Sequence, residues 1–401
     1  MSAQQGHGMD AARLARIADW MASYRERQRY PGTSLLIRRH GEEAYFAADG
    51  HRSIEKDLPY ERDTIVRIYS MTKVVTSVVV GMLLERGQLY LDTPVSEYIP
   101  AFKNMKALVP GATRRDQVEP AATPTLHQLL THTSGMTYAF NPGLAAEIYA
   151  EEKVDFGPRV PSLAKMCDNA ADQPLAFQPG REWQYSVGID IIGHVLELIT
   201  GKTLDVLFDE WVFAPLGMKD TFFGVPDDKI DRFADCYTIT EDNPLKRLDA
   251  ADNSAFLQRN VTCFSGGGGL CSTLDDYMAF GEMIRNGGLH GQERLIGART
   301  LAFLRANHLA GDIASMGAET FSEMPMTGMG FGIGGGVVLN AACARAPGSV
   351  GDFGWGGMAS TYFWTDPVED MSVVFFTQLV PSSTYPSRAE LKALVHGAMA
   401  D

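Results

Sequence analysis

The chain has no surplus of positive charge, no closely spaced cysteine pair, no metal-ligand spacing and no apolar run of membrane length, and each absence closes off a class of function. Thirty-five Lys and Arg against 49 Asp and Glu leave a net charge of −14, which repels a phosphate backbone and an anionic membrane surface alike. Nucleic acid and membrane are therefore not expected partners. The longest uncharged apolar run, Val74 to Leu84, is far too short to span a bilayer. The five cysteines (Cys167, Cys236, Cys263, Cys271, Cys343) are scattered, show no Cys-x-x-Cys and cannot all pair within one chain. Buried, reduced thiols are the expectation. No His-Glu-x-x-His or other metal-ligand spacing occurs, so neither a metal nor another cofactor is expected.

What is present is an ordinary globular composition: 401 residues, 45% hydrophobic and 21% charged, enough to bury a large core. After the polar stretch Met1 to Gly8, Leu14, Ile17, Met21 and Tyr24 recur at helical spacing within Ala11 to Arg25. That pattern is an amphipathic helix and not a signal peptide, which points to a cytoplasmic protein. Thr33 to Ile37 and Ala44 to Ala48 form strands around the turn Arg39-His40-Gly41-Glu42. Ser70 to Glu85 is apolar nearly all round and ends at Gly87, as expected of a central, buried helix.

From about Leu91 to Leu248 short helices alternate with Pro and Gly turns; strands return at Phe331 to Leu339, Thr361 to Thr365 and Met371 to Thr377, before a closing helix from Leu391 to Met399. No internal repeat or long linker is visible. The expected organisation is a discontinuous α/β domain, residues 1–90 and 249–401, with a mostly helical domain, 91–248, inserted into it and the active site between them.

Three Ser-x-x-Lys matches occur, a spacing that sets both side chains on one helix face about 5–6 Å apart between Cβ atoms. Ser53-Ile54-Glu55-Lys56 lies in a charged turn, and Ser162-Leu163-Ala164-Lys165 opens a surface helix with Ser162 near its cap. Ser70-Met71-Thr72-Lys73 differs, because Lys73 leads into the chargeless run Val74 to Leu84. Lysine is rarely buried unpaired, and taking an ammonium out of water penalises its charged form, the environment a lysine base requires. Ser70 is expected where an extended segment, Thr64 to Tyr69, meets a helix N-terminus whose dipole and free N–H groups favour an oxyanion.

With these residues in view the chain resembles the β-lactamase-like serine hydrolases, specifically class C β-lactamases and the family VIII carboxylesterases similar to them. The resemblance runs from about Gly32 to Thr377. It rests on Ser70-Met71-Thr72-Lys73, Leu126 to Gly135, Gln178-Pro179-Gly180 with Tyr185-Ser186-Val187, Pro215-Leu216-Gly217-Met218, Gly266 to Leu270 and Trp355-Gly356-Gly357. It implies an α/β (α+β) fold of β-lactamase/transpeptidase type, an antiparallel sheet flanked by helices with a mostly helical second domain. It also implies Tyr185 as the second proton-handling group. A phenol serves as a base only where positive charge stabilises its phenolate, and Lys73 is the source. The backbone N–H groups of Ser70 and Met358 form the oxyanion hole by the same resemblance. The His132 segment reads as a helix end and turn.

The departures set the expected substrate. Val187 stands where the family has asparagine, and Trp355-Gly356-Gly357 where β-lactamases carry Lys-Thr-Gly, so Trp355 offers an apolar wall in place of a cation and the glycines let substrate approach the backbone. Binding of a β-lactam carboxylate suffers and a neutral ester loses little. No Gly-x-Ser-x-Gly occurs, so the α/β-hydrolase elbow is not the source of the serine. The expected activity is hydrolysis of small or short-chain acyl esters through a Ser70 acyl-enzyme, with a small-molecule ester as partner. The alternatives are β-lactamase, D-stereospecific peptidase or acyltransferase chemistry on the same scaffold, and a non-catalytic sensor acylated at Ser70.

Overall fold

Asp10 accepts a hydrogen bond from the Arg13 N–H and caps the first helix, α1 (Ala11–Glu26), whose buried stripe is Leu14, Ile17, Met21 and Tyr24. The computed structural model describes residues 7–400; residues 1–6 of the polar N-terminal stretch, and residue 401, lie outside them. The chain then forms the expected hairpin, with strands longer than the alternation indicates: β1 (Gly32–Arg39) and β2 (Glu42–Ser53) pair from Gly32 opposite Gly50 to Arg39 opposite Glu42, with a register shift between Ile37 and Arg38. His40 and Gly41 turn the chain with φ of +54° and +80°.

Six more strands complete one eight-stranded sheet: β3 (Leu58–Pro59), β4 (Met329–Phe331), β5 (Gly336–Val338), β6 (Phe353–Gly356), β7 (Tyr362–Asp366) and β8 (Met371–Phe376), in the order β4-β5-β6-β7-β8-β1-β2-β3. Every pairing in it is antiparallel. The single strand expected from Phe331 to Leu339 is instead a hairpin. Glycines 332, 334 and 335 break it, and Gly334, at φ +82°, turns so close to the central helix that a Cβ there would lie 2.0 Å from Ser77 Oγ.

Period-two alternation shares the strand residues between two cores. Leu35, Ile37, Trp364, Val373 and Phe375 join α1 and the C-terminal helix on one face; Leu36, Phe363, Val374 and Phe376 join the larger core on the other. Both faces are covered, which is why these strands read as continuous apolar runs. The larger core surrounds α2 (Thr72–Glu85), buried from Thr72 to Leu83. Between residues 95 and 232 the secondary structure is chiefly short helices. A capping box of Thr125 and Gln128 starts α3 (Leu126–Leu130), and Gly201 in the left-handed conformation stops α4 (Gly188–Thr200).

Four cysteines are buried as expected, but Cys343 is exposed, because it falls in the loop after β5 and not in a packed element. No helix among the described residues is long and apolar enough to cross a membrane.

α3 and α4 touch through bare backbone: a Cβ on Gly188 would lie 2.5 Å from the Leu129 carbonyl oxygen. Gly188→Ala must therefore push α4 outward. A loss of about 1–3 kcal/mol in denaturant unfolding is expected, and an unchanged midpoint and slope would show that the helices part at no cost.

Candidate active site

Val66–Arg67 pairs with Cys271–Ser272 as a two-residue ladder, and at Tyr69 the chain turns sharply, with φ +42°. A non-glycine residue seldom adopts that conformation, and where packing holds one there it marks a constrained position. The Tyr69 ring is locked edge-on against Phe256 at 5.6 Å. The turn continues as a short 3₁₀ segment, Tyr69–Met71, directly into α2, which leaves Ser70 half-buried at the head of the buried helix.

One turn on, Lys73 is fully buried. Its ammonium has three donors, and all three are used: Gly267 O at 2.6 Å, the Tyr138 hydroxyl at 2.9 Å and Ser70 Oγ at 3.3 Å. Hydrogen bonds from a charged donor contribute about 1.5–3 kcal/mol each, enough to offset a desolvation cost of several kcal/mol. The three acceptors are neutral, so the balancing charge comes from Asp190, which reaches the ammonium through Tyr138. Tyr138 donates to Asp190 Oδ2 at 3.2 Å, while Ser265 Oγ at 2.5 Å and the Gly267 N–H at 2.9 Å fill Oδ1. Burial pushes the Asp190 carboxyl up and the Lys73 charge pulls it back, leaving it above the usual carboxylate range. Burial, then Asp190, drives the Tyr138 phenol well above its ordinary value. Ser70, Lys73, Tyr138 and Asp190 thus form one continuous chain of hydrogen bonds.

Neither Tyr138 nor Asp190 stood out as a site residue in the sequence reading. A signal existed for the second: Asp190 is the first acid in the apolar helix Gly188–Thr200, and a carboxylate there needs partners.

Tyr185 is brought to the site, but in a different way from the expected coupled pair. Lys73 Nζ lies over the face of its ring, 4.7 Å from the centroid, and the phenol oxygen accepts a hydrogen bond from Trp355 Nε1 at 3.1 Å. Tyr138 occupies the ammonium's hydroxyl-binding direction. Trp355 is accordingly both wall and donor. Its indole is stacked on Phe321 (5.5 Å, 15°) and meets Phe331 edge-on at 5.1 Å. His132 packs 4.6 Å from the Tyr185 ring. Its Nδ1 accepts from the Ser186 N–H at 3.2 Å, which leaves the ring proton on Nε2. Burial, then Lys73, holds it well below the ordinary histidine range, so it stays neutral and serves as a packing post. Asn141 grips the Tyr185 backbone through its side-chain amide, 2.6 Å from the carbonyl oxygen.

Gly356 ends β6 and Gly357 begins the turn after it, donating to Thr361 O at 2.9 Å. A Cβ on Gly357 would lie 2.3 Å from Ile68 O, so the bare backbone presses this turn against the segment leading to Ser70. Met358, 39% exposed, follows, and its N–H donates to no group among the described residues. Val187, expected to face substrate, is fully buried at the N-cap of α4, where its apolar side chain packs into the core.

The other two Ser-x-x-Lys pairs are structural. Ser162 Oγ accepts from Lys165 N as a helix cap, whereas Ser53 bonds Asp235 and Lys56 pairs with Asp252. The fold also gathers Asp352, Asp366 and His396, with ligand atoms within 4.8 Å of one another. Lys392 already lies 2.5 Å from Asp352 there; burial and that cation hold His396 down at about 4. The cluster carries its own counter-charge.

Comparison with known proteins bears on the family and the fold. The Beta-lactamase family model matches residues 17–397. Esterase EstB of Burkholderia gladioli is 32% identical over 387 residues, 92% of this chain and 91% of that protein. Among solved structures, EstCE1, a hydrolase with promiscuous acyltransferase activity, superposes with a TM-score of 0.79 at 27% identity, covering 97% of this chain and 99% of its own. The fold is also that of simvastatin synthase (LovD) from Aspergillus terreus, with a TM-score of 0.80 at 23% identity over 97% of this chain and 98% of that one. With the antiparallel sheet, the helices around it and an esterase relative along nearly its whole length, this chain belongs to the Beta-lactamase family and resembles the family VIII esterases within it.

Proposed function

We propose that this protein is a serine carboxylesterase that hydrolyses small neutral esters through an acyl-enzyme on Ser70. The observation that carries the reading is the dry three-donor cage of Lys73 against Ser70 Oγ. A neutral amine in that cage turns its lone pair to the hydroxyl and takes the proton as Oγ attacks the carbonyl carbon. The amine is reached by handing one ammonium proton to Tyr138 Oη while Tyr138 passes its own to Asp190, whose raised carboxyl accepts it. The backbone N–H groups of Ser70 and Met358 hold the oxyanion. Tyr185, held by the Trp355 indole, gives its phenolic proton to the leaving alkoxide and regains one from the water that attacks the acyl-enzyme, while the Lys73 ammonium returns the serine proton to Oγ as the acid leaves.

Substrate meets aromatic faces and glycine backbone: Trp355, Phe321 and Tyr185 on one side, Gly356 and Gly357 on the other. The cation that would hold a β-lactam carboxylate is replaced by Trp355. A second reading has one specific support, the promiscuous acyltransfer of EstCE1: an alcohol in place of water at the acyl-enzyme gives acyltransfer on the same residues. Four buried free thiols fit a cytoplasmic location.

Ser70→Ala is expected to abolish turnover of a short-chain nitrophenyl ester; retained turnover removes the mechanism. Nitrocefin is expected to turn over far more slowly than that ester, and the reverse order would make the protein a lactamase. Asp190→Asn keeps the two Oδ1 contacts and reverses the one to Tyr138. A fall of at least about 100-fold in kcat is expected, the lower end of the range for loss of a proton-handling group. The same variant removes a buried charge whose folded-state carboxyl is raised. An ionised Asp190 thus costs stability as pH rises above its unfolded value. Stability is therefore expected to fall as pH rises from the unfolded carboxyl value through the raised folded one; Asp190→Asn should flatten that dependence in thermal unfolding, and an unchanged pH dependence would mean that Asp190 does not titrate on unfolding.

A further inference from the structure

The C-terminal helix, Ser387–Gly397, sends one side chain under the turn that follows β6. Arg388 is 8% exposed at its side chain, and its Nη2 donates to the Gly357 carbonyl at 3.2 Å. Gly356 makes room for it: a Cβ there would lie 2.3 Å from Nη2 and 2.5 Å from Cζ. The guanidinium is held from two other sides. Its Nε lies 3.4 Å from Glu323 Oε1, a carboxylate whose side chain is 6% exposed and makes no hydrogen bond. Its plane lies over the Tyr362 ring, 5.3 Å from the centroid.

The Gly357 carbonyl and the Met358 N–H are the two ends of one peptide group. In a trans peptide they point in opposite directions, and the only cis bond among the described residues is Val380–Pro381. A cation bonded to the carbonyl therefore aims the N–H away from Arg388. It also draws electron density toward the oxygen and makes the N–H a stronger donor, the cooperative effect of linked hydrogen bonds in a dry interior. We infer that Arg388 is a positioning residue for catalysis, orienting and polarising the Gly357–Met358 peptide so that its N–H binds the developing oxyanion, with Glu323 anchoring the guanidinium from the other side. This rests on the esterase reading given above, in which the Met358 N–H is an oxyanion donor.

Glu323 adds a link to the substrate wall. It lies in the short antiparallel hairpin of Thr320–Phe321 and Met324–Pro325, whose Phe321 stacks on Trp355. One buried ion pair thus fastens both the aromatic wall and the oxyanion turn to the C-terminal helix.

The test compares the parent with Arg388→Lys and Gly356→Ala. Lysine keeps the charge and loses the planar fork. The alanine methyl leaves Arg388 intact and displaces only its flexible end, so this second variant is expected to fold. Active sites are counted by the nitrophenol burst, and kcat and KM are measured for a short-chain nitrophenyl ester together with affinity for a trifluoromethyl ketone, which forms a tetrahedral oxyanion on Ser70. Removing an oxyanion donor outright costs about 10²–10³ in kcat, so a donor kept but misaimed is expected to cost about 10–100-fold, with KM within about 3-fold. Ketone affinity should fall by the same factor as kcat. A merely structural role would lower the burst amplitude or Tm and leave kcat per site and ketone affinity unchanged, and that result overturns the inference. Ser70→Ala run alongside separates the two claims: if that variant still turns over ester, the esterase mechanism itself is lost. If it is inactive while both other variants keep kcat, only the role of Arg388 is lost.

Discussion

A cation closed into a dry interior governs the rest of this structure. Lys73 has no water to fall back on, so every donor of its ammonium must find protein, and the fold supplies three acceptors from three separate parts of the chain. Ser70 comes from the helix that carries the lysine, Tyr138 from the turn after α3, and Gly267 from the glycine cluster. Asp190, on α4, ties the last two together through Tyr138 and the Gly267 N–H. A shift of any one of these segments by an ångström would leave a buried donor or a buried carboxylate unpaired, which costs far more than a lost surface contact.

The same requirement explains the glycines. Gly188 lets α4 lie against α3, Gly267 lets the loop backbone close on Asp190, where a Cβ would fall 2.3 Å from Oδ2, and Gly357 lets the turn after β6 press on the segment before Ser70. Each removes a side chain where two backbones meet at the site. The aromatic cluster plays the complementary part: Trp183, Tyr185, Phe321, Phe331 and Trp355 pack around His132 and one another. This packing buries the lysine side chain beneath apolar rings.

Local pattern made a great deal visible. The heptad-like stripe of α1, the chargeless run after Lys73, the Ser162 cap and the helix stop at Gly87 all follow from propensity, capping and periodicity, interactions that span a few residues. The motif order added the family and its fold. Local reading erred where backbone or side-chain freedom was decisive: the glycines at 332, 334 and 335 turn one apparent strand into a hairpin, and Val187 sinks into the core.

By itself the sequence determined that Ser70 and Lys73 stand together, because residues three apart on a helix must share a face, and it determined the antiparallel sheet with helices around it through its motif order. Only the tertiary structure decided which hydroxyl meets the ammonium. Tyr138 and Tyr185 are both tyrosines near turns, and nothing within a few residues of either distinguishes a phenol that bonds Lys73 from one that bonds Trp355. That choice belongs to contacts between segments 65 to 194 residues apart, where packing and the cost of an unpaired buried charge select a single arrangement.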